Sequence, residues 1–311
     1  MMRMLVPAAI AAISLAIPPV LGEGYLIQVL NIALLNAIVV LGLNFVTGWT
    51  GQINFGQAAF YGLGAYTTGI ATLAGLPWLA APFLSALVAA IASLILGVPT
   101  LRLRSYYLAM TTIGFGEIVR LILIHWESVT GGSSGLRAIP PISVLGLPID
   151  TQARSFYLLA LMLALAALLA ARIRNSSFGR AMIATRDSEI SAELSGVDTI
   201  RIKILAFALG AVYAGVAGCL FASTIRYISP DSFTNTQAVL LLTMLIIGGT
   251  GSIPGAIVGA IGLTLLPEAL RFLGQWYLVL YGVGVIAVIT FAPGGLAAAA
   301  PALLRRLGLA R

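Results

Sequence analysis

Long apolar runs joined by short polar junctions constrain this chain more than any other feature. A hydrocarbon core about 30 Å thick is crossed by about 20 residues of apolar helix, because a helix satisfies its own backbone where no water can. Such runs predict ten helices, over roughly 4–21, 25–46, 56–74, 79–101, 105–126, 154–171, 202–223, 237–249, 254–272 and 275–292. The eighth is short, so the expected count is eight to ten. The fold class is all-α, a polytopic transmembrane helical bundle forming one domain over 1–311. Composition agrees: 60% of residues are hydrophobic and 9% charged, where soluble domains carry roughly a quarter charged. The first 24 residues join Arg3 to an apolar run, as a signal peptide does. That run is long and no small-residue cleavage site follows, so a retained first helix is expected.

The net charge of +7 does not mark a nucleic-acid binder, because the 17 basic residues sit in short junctions between apolar runs. That is the distribution that orientation in a bilayer produces. With a cytoplasmic N-terminus, Arg3, Arg102, Arg104, the basic residues of 172–203, and Arg305, Arg306 and Arg311 share the inner side, and the C-terminus is cytoplasmic too. The longest outer connection is then 127–153, where Gly131, Gly132, Ser133, Ser134 and Gly135 precede Pro140 and Pro141. Cys219 is the one cysteine, which excludes an intramolecular disulfide and a cysteine-based metal site. The lone His125 beside Trp126 reads as a boundary residue.

Ten charged residues crowd positions 172–203 in a chain with only 17 basic and 10 acidic residues overall. At a bilayer centre each would cost about 2.5–3.5 kcal/mol on an insertion scale, so the segment must lie outside the hydrocarbon. Ile183, Ile190, Leu194 and Val197 are spaced to form one apolar stripe on a helix, with Arg186, Glu189 and Glu193 beside it. Gly196 suits the helix stop, and Asp198 suits the cap of the next helix. Two readings fit this spacing equally: a docking element held between spanning helices, or a solvated loop whose apolar residues pack on its own helix ends.

The stretch FGRAMIATRDSEISAELSGVDTIRIKILAFALGAVYAGVAGCL resembles the cytoplasmic loop and following helix of the permease subunits of branched-chain amino acid ABC importers. GLNFVTGWTGQINFGQAAFYGLGAY, YYLAMTTIGFGEIVRLIL, TGGSSGL, ISPDSF and IIGGTGSIPGAIVGA are similar to the same family and occur in the same order. The resemblance implies an inner-membrane permease that translocates hydrophobic amino acids and is driven by two ATPase subunits. A second homologous permease and a periplasmic substrate-binding protein complete the assembly. It also implies that Arg180, Arg186, Asp187, Glu189, Ile190, Glu193, Leu194 and Gly196 belong to the loop that couples to the ATPases. The strict E-A-A-x-x-x-G pattern of other importers is absent: Ile190, Ser191 and Ala192 follow Glu189, and Gly196 comes one residue late. No G-x-x-x-x-G-K-[ST] phosphate loop occurs, so this chain is expected to bind no cofactor, with ATP and Mg held by partner subunits.

Ala206, Gly210, Ala214, Gly218 and Ala222 stand four apart on one helix face, which predicts a seam for close helix packing. Thr50-Gly51-x-Ile53 recurs as Thr250-Gly251-x-Ile253, either by chance or as a weak repeat around a pathway. Gln52, Asn54 and Gln57 are candidates to line that pathway, or to satisfy the backbone of a broken helix. Glu117 and Arg120 read as a structural ion pair at three-residue spacing. Three alternatives stand beside the amino acid importer: a urea or short-amide permease of the same family, a proton-coupled transporter using Glu117, and a membrane scaffold.

Overall fold

The computed structural model describes residues 24–100, 105–144, 147–271 and isolated positions between 282 and 296. The expected span 4–21, most of 275–292, and Arg3, Arg102, Arg104, Arg305, Arg306 and Arg311 lie outside the described residues. The eight spans expected between them each fall on a helix. Helix α1 (Tyr25–Leu43) passes into a π-helical turn (Asn44–Trp49), and is followed by α2 (Gln57–Leu73), α3 (Ala81–Thr100) and α4 (Ser105–His125). Next come α5 (Gln152–Asn175), the small α6 (Ser177–Asp187) and α7 (Glu189–Leu194), then α8 (Thr199–Ile225), α9 (Asn235–Gly248) and α10 (Ile253–Ala269). Five helical stretches are long and apolar enough to cross a membrane: 25–49, 78–100, 106–125, 152–175 and 199–225.

Burial sorts these helices into a centre and a rim. Within its spanning window α1 is 78% buried, whereas α3 is 28% buried. The open face of α3 presents Phe83, Leu87, Ile91 and Ile95, which cost nothing against lipid tails. Helix α8 is the hub and packs on α1, α2 and α3. Because apolar side chains gain little by leaving lipid, the hub is held by close approach of backbones. Gly210 lies against the Gly42 carbonyl of α1, where a Cβ would come within 2.9 Å. Gly215 meets Ala89 and the Ser85 carbonyl of α3, and Gly218 meets Tyr61 and Ala65 of α2. Ala206, Gly210, Ala214, Gly218 and Ala222 are all buried on this face.

Two stretches interrupt the run of long helices. Gln57, which opens α2, bonds to the Gly210 carbonyl, a point about 16 Å along α8 from Thr199 at 1.5 Å per residue. The chain therefore turns at 50–51 and runs back without regular structure before α2 begins. Helix α9 has only 14 residues, about 21 Å, which is short of a full crossing. It is preceded by the turn Pro230–Phe233, whose Phe233 ring packs against Tyr61 and Tyr66 of α2. The 127–153 connection is more ordered than loop chemistry alone predicts. Leu136–Arg137 pairs antiparallel with Tyr227–Ile228, and Ile142–Val144 with Leu147–Ile149. Gly135 permits the first pairing, since its φ is +69° and a Cβ would strike the Ile228 carbonyl.

Replacing Gly218 by Leu is expected to abolish accumulation of folded protein, because backbone of α2 occupies the space required. Gly262→Leu serves as the matched comparison, since a Cβ there meets nothing within 4 Å. Fluorescence-detected size exclusion of the two variants would decide it; equal monodisperse yields would count against the seam.

Candidate functional site

The two Thr-Gly-x-Ile stretches, 200 residues apart in sequence, meet on the side of the bundle that carries the charged segment. Gly51 has φ +72° and Gly251 has φ +83°, so each turn uses glycine where other residues are strained. Gly251 donates its N–H to Asn44 Oδ1 at 2.8 Å, and its carbonyl accepts from Trp49 Nε1 at 3.0 Å. Both partners belong to the π-helical turn, so that turn is stitched to the start of α10. No side chain fits at Gly48, where a Cβ would overlap Asn44 Oδ1. Ser252 then caps α10 by accepting from Gly255 N–H at 3.2 Å.

Arg186, on α6 of the charged segment, closes this knot. Its guanidinium donates to the Gly48 carbonyl at 2.5 Å and its side chain lies over Gly51 and Gly251. A cavity of about 370 Å³ opens beside it, lined by Trp49, Arg174, Ile183, Arg186, Thr250 and Ser252 among others. Among the described residues no group of three His, Cys, Asp or Glu side chains could hold a metal.

The charged segment differs from the single striped helix expected. Ser188 is extended, with φ −162°, and divides it into α6 and α7, each opened by a serine cap. The division separates the stripe: Ile183 packs against the core, whereas Ile190 and Leu194 are 72% and 86% exposed. Glu189 pairs with Lys203 and Glu193 accepts from Thr199 Oγ1 at 2.7 Å, so both carboxylates of α7 face α8. Arg180 donates to the Asn175 carbonyl, and Asp187 is exposed. Gly196, at φ +83°, ends α7, and Asp198 caps α8 by accepting from Arg201 N–H.

Gln52, Asn54 and Gln57 are all buried. Gln57 donates to the carbonyls of Gly210 and Val39, bridging α8 and α1, and Asn54 Oδ1 accepts from Gly56 N–H at 2.8 Å. Of these three, Gln52 alone keeps a buried side-chain oxygen without a partner among the described residues. Arg120 pairs with Glu117 at 3.2 Å and also with Asp231 at 3.0 Å, while Asn235 donates to Glu117 at 3.4 Å. Local spacing reveals the first pair, but nothing near Glu117 in sequence points to Asp231 or Asn235. The same holds for Asn44 and Trp49, whose partner lies 200 residues away.

Trp49→Phe keeps the ring that packs edge-on against Phe45 at 4.8 Å and removes the donor to Gly251. The expected loss is about 1 kcal/mol, the net worth of one buried hydrogen bond. Denaturant unfolding of the purified protein in detergent measures it, and an unchanged midpoint would show that the bond does not hold the two turns together.

A family model described as branched-chain amino acid transport system / permease component matches residues 25–289. The chain is 33% identical to the high-affinity branched-chain amino acid transport system permease protein LivM of Salmonella typhimurium (strain LT2), and equally to that of Escherichia coli (strain K12). Each match covers 93% of this chain and 73% of the relative. It is 31% identical to the autoinducer 2 import system permease protein LsrC of Yersinia pseudotuberculosis serotype O:1b, over 78% of this chain and 70% of the relative. No solved structure matches. With the family model spanning most of its length, the chain belongs to the branched-chain amino acid transport system permease family, as a multi-pass membrane protein.

Proposed function

We propose that this chain is the membrane-spanning permease subunit of an ABC importer that carries branched-chain amino acids across a bacterial inner membrane. The observation that carries the reading is the connection from α7 to the glycine turns. Ile190 and Leu194 stand out from a helix whose own carboxylates are turned inward. Such exposed apolar residues suit a docking contact. Three residues before that helix begins, Arg186 grips the backbone of the π-helical turn. A partner that pushes on α7 therefore acts on the two turns through one short, rigid path.

In this reading the charged segment faces the cytoplasm, as the crowding of basic residues favours. Two ATPase subunits dock there and hydrolyse ATP with Mg, a second homologous permease packs alongside, and a periplasmic binding protein delivers the solute. The permease contributes two arrangements of its helices, and ATPase closure shifts the balance between them through differential contact with α7. Relatives whose names specify branched-chain amino acids support that solute class. Proton coupling through Glu117 has no support from its surroundings, since its carboxylate is already engaged by Arg120 and Asn235.

The test is uptake of labelled leucine by vesicles holding this chain with its neighbouring permease, ATPases and binding protein. Wild type is expected to accumulate leucine only with ATP. Leu194→Glu is expected to abolish uptake and release the ATPases while leaving the permease folded, because Leu194 makes no internal packing to lose. Full uptake by the variant would mean that the ATPases dock elsewhere, and uptake without ATP would overturn the importer reading.

A further inference from the structure

Glu117 lies two residues beyond the midpoint of α4, about 3 Å along the axis, so its carboxylate stands near the middle of a spanning helix. Its side chain is 44% exposed, that of Arg120 27% and that of Asp231 74%. Gly116 allows the cluster to form by admitting the Asn235 side chain against α4. The neighbouring chain at 226–234 departs from α-helix, as the strand Tyr227–Ile228 and the 3-10 turn Pro230–Phe233, before the short α9. Charged groups and irregular backbone at membrane depth are tolerated only against protein or water, never against lipid tails. Full burial in a dry interface is also disfavoured, because the cluster holds two carboxylates for one guanidinium and so keeps an uncompensated negative charge.

From this we infer that the Glu117, Arg120 and Asp231 cluster lines a water-filled outer half of the solute path, on the face of α4 that carries Ile113, Glu117 and Leu121, and offers a small zwitterion paired charges. The excess carboxylate suits an ammonium group, and Arg120 a carboxylate. The inference rests on the importer reading for its solute, and on the geometry alone for its water. It assigns a role to Asp231 and Asn235 that a purely structural ion pair does not require.

Cysteine accessibility tests it in the assembled complex. Cys219 is buried, so the wild-type chain serves as the blank. Ile113→Cys and Leu121→Cys, one helical turn either side of Glu117, are expected to react with hydrophilic methanethiosulfonates added from outside. Leu87→Cys and Ile95→Cys on the open apolar face of α3 are expected to stay unlabelled, because the reagent needs a hydrated thiolate. The cationic reagent should react several-fold faster than the anionic one near the cluster, and Asp231→Asn should remove most of that preference. Unlabelled thiols at 113 and 121, or a preference untouched by Asp231→Asn, would overturn the inference. Labelling as expected in a complex that fails to move leucine would instead remove the importer reading and leave the aqueous face standing.

Discussion

Backbone that leaves the helix inside a bilayer has to be covered, and the rest of this structure follows from how that is done. Two stretches break the rule of continuous helix: the π-helical turn with its climb through 50–56, and the 226–234 segment before α9. Each is wrapped by helices that come unusually close. Gly42, Gly64, Gly210, Gly215 and Gly218 let α8 approach α1, α2 and α3 until backbone meets backbone. The polar groups released by the breaks are then taken up by side chains. Asn44 receives Gly251 N–H, Asn54 receives Gly56 N–H, and Thr112 receives Phe55 N–H. The glycines and the buried amides are thus two parts of one solution, since neither close approach nor a broken helix is stable without the other.

The charged segment follows a different logic because water is available to it. Its two small helices are opened by serine caps, and its charges are mostly spent at home: Glu189 on Lys203, Glu193 on Thr199, Arg201 on Asp198. The exposed Arg201–Asp198 pair contributes little stability, whereas Lys203 is buried and needs Glu189 as its partner. The effect of these contacts is to fix orientation, so that α7 turns its carboxylates toward α8 and leaves Ile190 and Leu194 outward. Arg186 is spent differently. Its bond to the Gly48 carbonyl joins the segment to the membrane part across 138 positions of sequence.

Much of this was legible in the residues. Apolar length located the eight described spans, and four-residue spacing of small side chains located the buried face of α8, because both are properties of one helix at a time. Gly196 and Asp198 read correctly as stop and cap for the same reason. The division of the charged segment at Ser188 was missed, since its apolar residues keep a helical period across the break and a single extended residue leaves no periodic trace. The meeting of 50–53 with 250–253 showed only as a four-residue echo. Asn44, Trp49, Asp231 and Asn235 carried no local signal at all, because each matters through a partner more than 100 positions away. The outer strands were hidden similarly: Leu136 and Arg137 become a strand only when Tyr227 and Ile228 arrive beside them.

The knot at Gly251 has an energetic scale suited to a switch. Three hydrogen bonds hold it: Asn44 to Gly251, Trp49 to Gly251, and Arg186 to Gly48. At about 1 kcal/mol net each, they amount to about 3 kcal/mol, enough to carry a two-state population from roughly ten to one in favour to ten to one against. A tighter knot would lock the turns, and a looser one would let them part without a drive. All three bonds involve backbone of glycine turns or of the π-helical turn, the kind of helix irregularity that is frequent at functional sites. Under the importer reading, a pull on α6 need only withdraw Arg186 to weaken the grip on both turns at once. The second interruption, at 226–234, lies toward the other end of α2, anchored by Phe233 against Tyr61 and Tyr66. Helix α2 begins at one break and packs against the other, so this one buried helix joins the two.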